Sequence, residues 1–224
     1  MPGDPFTGLI TPESDPNRLE EMRVLAGFYD PWYVQYYNWI TNAIQGDFGK
    51  SYTYSMPVAD LIGFRAMNTL WLSLLSVVLL YLIAIPLGVL AGRFQDTFLD
   101  KTIVLYSFVT YAIPTFVLGL LALFFFGYHL GWFPTAGTVD IKYEEGTLGY
   151  VWNRIYHMLL PAMTYAILGT TAVIQYLRSE IIDAKSMDYV RTARSKGIPI
   201  KKVYSRHIFR NSLLPIAAFL GFTI

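Results

Sequence analysis

Few residues in this sequence are equipped for chemistry, and they fall in three places. The first is "GDFGKS" at residues 46–51. Its end matches a phosphate-binding loop, G-x-x-x-x-G-K-[ST], whose backbone N–H groups cradle phosphates while the lysine reaches the terminal ones. That pattern needs a glycine at position 44, where Ile44 stands, so the stretch reads as a turn and nucleotide binding is not expected here. The second place is the loop flanked by His129 and His157. Two imidazoles without a third ligand predict interfacial hydrogen bonding and no metal. The third is "RTARSKGIPIKKVYSRH" at 191–207, a dense run of cations in a chain that is 54% hydrophobic and 17% aromatic. Cysteine is absent, which removes disulfides and thiolate metal sites. No catalytic constellation remains, so the basic passage must be understood from the elements that position it.

Those elements are apolar spans. No charged residue occurs from Asn68 to Gly92, from Thr102 to Val139, or from Ile155 to Leu177. A bilayer core of about 30 Å needs a helix of about 20 apolar residues, so each run can cross it. The expected spans are 68–92, 102–126 and 155–177, with a fourth run, 212–224, cut short. Residues 1–67 form a polar, aromatic-rich segment with no signal-peptide pattern, and an earlier span is expected upstream to carry it across. Within it, "DPWYVQYYNWITNAI" predicts a helix with Asp30 as N-cap and Pro31 at the first position. Its Trp32, Tyr36, Trp39, Ile40 and Ala43 share a face, which suits either a membrane interface or a small packed subdomain.

Small residues recur at Ala84, Gly88 and Gly92, a spacing that lets helix backbones approach closely in lipid. Pro86, Pro114 and Pro161 lie within the spans, where neighbouring helices can satisfy the carbonyls they free. Two polar stripes stand out: Ser107, Thr110, Tyr111 and Thr115 on the second span, and Thr164, Thr171 and Gln175 on the third. Singly, each hydroxyl is expected to bond a preceding carbonyl. As sets, the stripes are expected to line a hydrated pathway. No Lys, Arg or carboxylate lies inside a complete span, which argues against proton relays, ion-coupled carriers and voltage sensors.

Three crossings leave 93–101 and 178–211 on one side, with eleven Lys/Arg in 43 residues, against six in the 95 residues of 1–67 and 127–154. The positive-inside rule makes 178–211 cytoplasmic. Its grammar goes beyond charge. "SMDYVRTARSKG" predicts a short helix with Asp188 in the first turn and Arg194 and Lys196 in the last, as the helix dipole favours. Val190, Ala193 and Gly197 are expected on one face, Gly197 ends the helix, and Pro199 follows. A second helix is expected from Pro199 through "KKVYSRHIFRNSLLP". Two short helices joined at a glycine form a knob, which implies a protein groove to receive it.

This passage resembles the coupling loop of permease subunits in binding-protein-dependent ABC importers. That loop carries Glu-Ala-Ala, three residues, a Gly, and a later Leu-Pro. Here Arg191, Thr192 and Ala193 stand at the Glu-Ala-Ala positions, Gly197 is the glycine, and Leu214 and Pro215 close the motif. With Arg206 and His207, the Arg-Thr-Ala version resembles the oligopeptide/dipeptide branch and its nickel-transporting relatives. The likeness extends to "PGDP" at 2–5, to 30–52 and to "NTLWLSL" at 68–74. It implies an all-α integral membrane protein of the bacterial plasma (inner) membrane, the transmembrane domain of a type I ABC importer. Such a domain has six helices when complete, about three and a half of them present here. It further implies peptide translocation, or nickel or glutathione import as the alternative, and a coupling segment at 186–207. Expected partners are a second, homologous permease, two ATPase subunits that use ATP-Mg, an extracytoplasmic solute-binding protein and the lipid bilayer. No nucleic acid and no cofactor of its own are expected. The reading from another class is a membrane-anchored scaffold or enzyme whose basic loop binds anionic lipid.

Overall fold

The computed structural model describes residues 16–25, 27–51 and 53–216. Among these the ordered elements are helical, as backbone groups in lipid require. The chain divides into two compact units, Met1–Thr69 and Leu70–Ile224.

In the first unit, α1 covers Pro16–Leu25 and α2 covers Trp32–Ile44. The N-cap of α2 is Pro31, with no side-chain cap, one residue later than Asp30 was expected to serve. The carbonyl of Asp30 instead accepts from Gln35 Nε2 at 2.7 Å. No residue of α2 is buried, and Trp32, Tyr36 and Trp39 are all exposed. Residues 46–51 form a turn: Gly46 and Gly49 have φ of 88° and 77°, and Lys50 pairs with Pro57 in an isolated bridge.

The element α3 runs over Val58–Arg93, with its last 24 residues in the second unit. It is followed by α4 (Phe98–Ala112), α5 (Thr115–Ala122) and α6 (Leu148–Ser186). Leu123–His129 extends α5 as a π-helical stretch. At 36 and 39 residues, α3 and α6 each exceed the ~30 Å of a bilayer core at 1.5 Å per residue. The second expected span is not one helix. It breaks between α4 and α5 with a bend of 98°. Ile113 is extended (ψ 122°) and Pro114 caps the next helix, since the residue before a proline is pushed away from helical geometry. Pro86 and Pro161 leave α3 and α6 continuous. Buried neighbours flank both, Ala84 and Gly88 around the first and Leu160 and Ala162 around the second. Tyr111, Ala112, Thr115 and Phe116 around Pro114 are exposed, so nothing packed there holds the helix straight.

Counted together, the bent pair is long and apolar enough for one span. Its start faces Arg178, which pairs with Asp100, and its end faces Tyr156, whose hydroxyl donates to the Trp132 carbonyl. The 22 residues of α6 between those points measure about 33 Å, a full bilayer core. Alongside α6, α3 runs parallel. A Cβ on Gly88 would lie 3.1 Å from Leu177 Cβ, and one on Gly92 would lie 2.8 Å from Ile181 Cβ and 3.0 Å from the Arg178 carbonyl oxygen. Glycine is therefore what permits the helices to touch at backbone distance. Ala84, Ile174, Leu177 and Ile181 complete this core. The fourth apolar run continues into 217–224, outside the described residues.

Candidate coupling face and the cavity above it

After α6, the chain turns at Met187 into α7 (Asp188–Ser195). The end of α7 is built as the sequence requires. Gly197 has φ +70°, its N–H donates to Arg194 O at 2.9 Å, and Ile198 N–H donates to Ala193 O at 3.3 Å. This pair of bonds is the Schellman motif, which needs a left-handed residue at the C′ position. Pro199 then caps α8 (Ile200–Val203), which continues as the π-helical Tyr204–Phe209 and then as α9 (Arg210–Ser212). The second short helix thus runs where expected.

The faces of these helices are sorted differently from the expectation. Val190 and Ala193 are 0% and 4% exposed and belong to this chain's own core, together with Ile181, Ala184, Val203, Ile208 and Ile216. They cannot enter a partner's groove. Gly197 is exposed, off that face. Exposed with it are Asp188, Arg191, Thr192, Arg194, Lys196, Lys201, Lys202, Arg206 and Leu214. Arg191 and Asp188 approach at 3.7 Å, and Thr192 donates back to the Asp188 carbonyl at 2.9 Å. Arg206, His207 and Leu214 line one surface hollow with Arg210 and Asn211, and Pro215 is half-buried beside them. An apolar stripe on a helix seeks cover; here the permease chain itself supplies it and only the cationic face is free.

Three polar ties join the ends of α3, α4 and α6 beneath this face, and the last of them reaches the knob. The Arg178 guanidinium grips Asp100 with two prongs, Nε to Oδ1 at 2.6 Å and Nη2 to Oδ2 at 2.8 Å. Asp100 is 2% exposed, and its Oδ2 also accepts the Asp96 N–H at 2.9 Å. Lys185 Nζ donates to the Gly92 carbonyl and, at 3.1 Å, to that of Arg93, placing a cation at the C-terminus of α3 as the dipole favours. The Arg93 guanidinium in turn sits 5.1 Å from the Tyr204 ring centroid, a cation–π contact. Burial pushes the Tyr204 hydroxyl up to about 12, with Arg93 opposing it. The Asp100–Arg178 pair escaped the sequence reading because 78 residues separate the partners. Its only local signal was an acid in the first turn of α4 and an arginine at the end of a charge-free run.

The two polar stripes do not face one pathway. Thr110 Oγ1 meets Thr171 Oγ1 at 2.8 Å, and Thr171 also donates to the Ser107 carbonyl at 3.1 Å. Thr110 further donates to the Tyr106 carbonyl, and Ser107 to that of Ile103. The Thr110 and Thr171 hydroxyls and the Ser107 carbonyl close the α4–α6 seam, while the Ser107 hydroxyl bonds back within α4. Tyr106, missed by the sequence reading, joins the seam through Thr170 at 3.1 Å. Tyr111 points away, at 81% exposure, and the Gln175 amide nitrogen is buried without a partner. Only Thr115 and Thr164 line a shared cavity of about 710 Å³, with Phe116, Pro134, His157 and Pro161. His157 Nδ1 lies 2.9 Å from the Asn153 carbonyl, and the His129 ring lies 5.7 Å from that of Phe125, tilted at 40°.

Long apolar helices packed through glycines, with a cationic helical knob fixed to one end, are the build of a polytopic membrane protein. Residues 84–224 match the family described as binding-protein-dependent transport system inner membrane component. The oligopeptide transport system permease protein AppB of Bacillus subtilis is 38% identical over 224 residues, covering all of this chain and 70% of that protein. The glutathione transport system permease protein GsiC of Escherichia coli K12 is 33% identical over 221 residues, covering 99% of this chain and 68% of that protein. The chain belongs to the inner-membrane permease family of binding-protein-dependent ABC importers, and it is a multi-pass protein of the plasma membrane. A lipid-binding scaffold or enzyme is thereby set aside. Membership implies ATPase and solute-binding partners.

Proposed function

We propose that this permease moves peptides inward across the bacterial plasma membrane, powered by ATPase subunits that dock on the 186–207 knob. The observation that carries the reading is the sorting of the knob. Its apolar residues Val190, Ala193, Val203 and Ile208 are buried in the permease, while Arg191, Arg194, Lys196, Lys201, Lys202 and Arg206 are exposed. A cationic surface on a rigid base suits a groove rimmed with carboxylates, and the charge steers encounter and register. Docking by buried apolar knob residues is not part of the proposal.

Hydrolysis of ATP-Mg falls to the partners in this reading. Support comes from the turn at 46–51, which follows a helix and leads to the Lys50–Pro57 bridge, with α3 starting only at Val58. A phosphate-binding loop joins a strand directly to a helix N-terminus. A second, homologous permease, two ATPases and one solute-binding protein complete the proposed assembly. Residues 178–211 are cytoplasmic and 1–67 extracytoplasmic. Peptide cargo is supported by the B. subtilis relative, and the E. coli relatives act on glutathione, itself a tripeptide.

Uptake of a radiolabelled tripeptide by the full complex in proteoliposomes tests the cargo. ATP-dependent accumulation that needs the binding protein is expected. Nickel accumulation without tripeptide competition would refute the peptide reading.

A further inference from the structure

We infer that Asp100 and Arg178 are positioning residues of the transport cycle, forming a latch that makes α4 follow the knob when the ATPases move it. The inference rests on the docking reading above. It begins from how unequally the helices are attached. The knob, α6 and the end of α3 share one apolar core through Val190, Ala193, Ile181, Ala184 and Ala91, and Lys185 clasps the last carbonyls of α3. Those elements have continuous buried packing and move as a body.

The helix α4 joins this core through Ile103 and Tyr106, and the rest of its attachment is polar. Its buried residues are Asp100, Ile103, Ser107 and Thr110, so three of the four are polar. Its polar ties to α6 are the Tyr106 and Thr110 hydroxyls, the Ser107 carbonyl and, at the end nearest the knob, the Asp100–Arg178 pair. Neutral interhelical hydrogen bonds in membranes are individually weak. The two-pronged pair has fixed geometry and a third bond from the Asp96 N–H, and it cannot slide by one residue without breaking.

What α4 leads to makes the latch consequential. At Ile113–Pro114 both residues are extended, and beyond lies α5, whose Thr115, Phe116 and Gly119 line the 710 Å³ cavity. A stroke on the knob reaches that wall through α4 as well as through the direct packing of α5 on α6. With Arg178 or Asp100 neutralised, the α3–α6 body moves and α4 lags.

The test uses the full complex in liposomes, with uptake of a radiolabelled tripeptide per ATP hydrolysed as the readout. Variants are Asp100→Asn, Arg178→Gln, Arg178→Lys, the exchanged pair Asp100→Arg with Arg178→Asp, and Lys101→Gln at an exposed neighbour. Asp100→Asn and Arg178→Gln are expected to keep their ATPases through purification and to transport about tenfold less per ATP, within the range typical of coupling between sites. The exchanged pair recovers transport toward wild type, Arg178→Lys falls between, and Lys101→Gln matches wild type. Should the exchanged pair fail to fold, spin labels on Lys101→Cys and Ser179→Cys supply the second measurement. Their separation is expected to be the same with and without ATP in an otherwise native chain, and to change with ATP when Asp100→Asn is added. Wild-type coupling in both single variants, or a native label distance that shifts with ATP, overturns the latch. So does loss of the ATPases from the single variants, since the pair would then merely support the docking surface. Failure of the docking reading looks different: Lys196→Cys on the native latch would form no crosslink to an ATPase subunit.

Discussion

Gly197 is where one substitution series can separate backbone strain from partner contact. Its φ is +70°, and a Cβ built on it meets no atom within 4 Å. Inside this chain, a Cβ at Gly197 meets no neighbour, so the shared penalty of alanine and leucine is the left-handed strain of about 1 kcal/mol. Asparagine tolerates that conformation and costs less. Anything leucine adds beyond alanine must come from a partner pressed against the exposed face. Overpacking a filled contact costs about 1–3 kcal/mol, or roughly 5- to 150-fold in affinity at about 1.4 kcal/mol per tenfold. The assay is titration of purified ATPase subunits onto the detergent-solubilised permease for Gly197→Asn, Gly197→Ala and Gly197→Leu. Asparagine and alanine should both stay near wild type in affinity, because the strain falls equally on free and bound permease and lowers only its stability. Leucine should lose at least about fivefold. Equal affinities for alanine and leucine would show that nothing covers Gly197, and the docking site would have to be sought elsewhere on the knob.

Two further expectations follow from topology and packing. In a chain without cysteine, Lys50→Cys should react with an impermeant thiol reagent in spheroplasts and Lys202→Cys only after permeabilisation; the reverse pattern would invert the assigned sidedness. Gly92→Leu should lower the yield of folded permease sharply, because even its Cβ would lie 2.8 Å from Ile181 and 3.0 Å from a carbonyl, whereas Gly63→Leu, with nothing within 4 Å, should be tolerated. Thermal unfolding in detergent compares the two, and equal midpoints would refute the close contact of α3 with α6.

Much of this protein is written in one dimension. Charge-free runs of sufficient length specify helices that cross lipid, because the bilayer imposes a threshold that depends on composition alone. The glycine at 197 ends α7 because helix termination is a local matter of φ and two backbone bonds. Small residues at 84, 88 and 92 announced a close helix contact for a similar reason: only their missing side chains permit it.

Other features required the tertiary structure. The stripe of Val190 and Ala193 is equally able to face a partner or its own chain, and burial against Ile181, Val203 and Ile208 decided the matter. Hydroxyls at 107, 110 and 171 could line water or one another, and the α4–α6 approach brought two of them to 2.8 Å. Three prolines look alike in sequence, yet only Pro114 breaks its helix, since no packed flank opposes it. The Asp100–Arg178 pair joins residues 78 apart. Periodicity and capping rules reach only a few residues along the chain, whereas pairing, burial and bending are set by whichever helix arrives alongside.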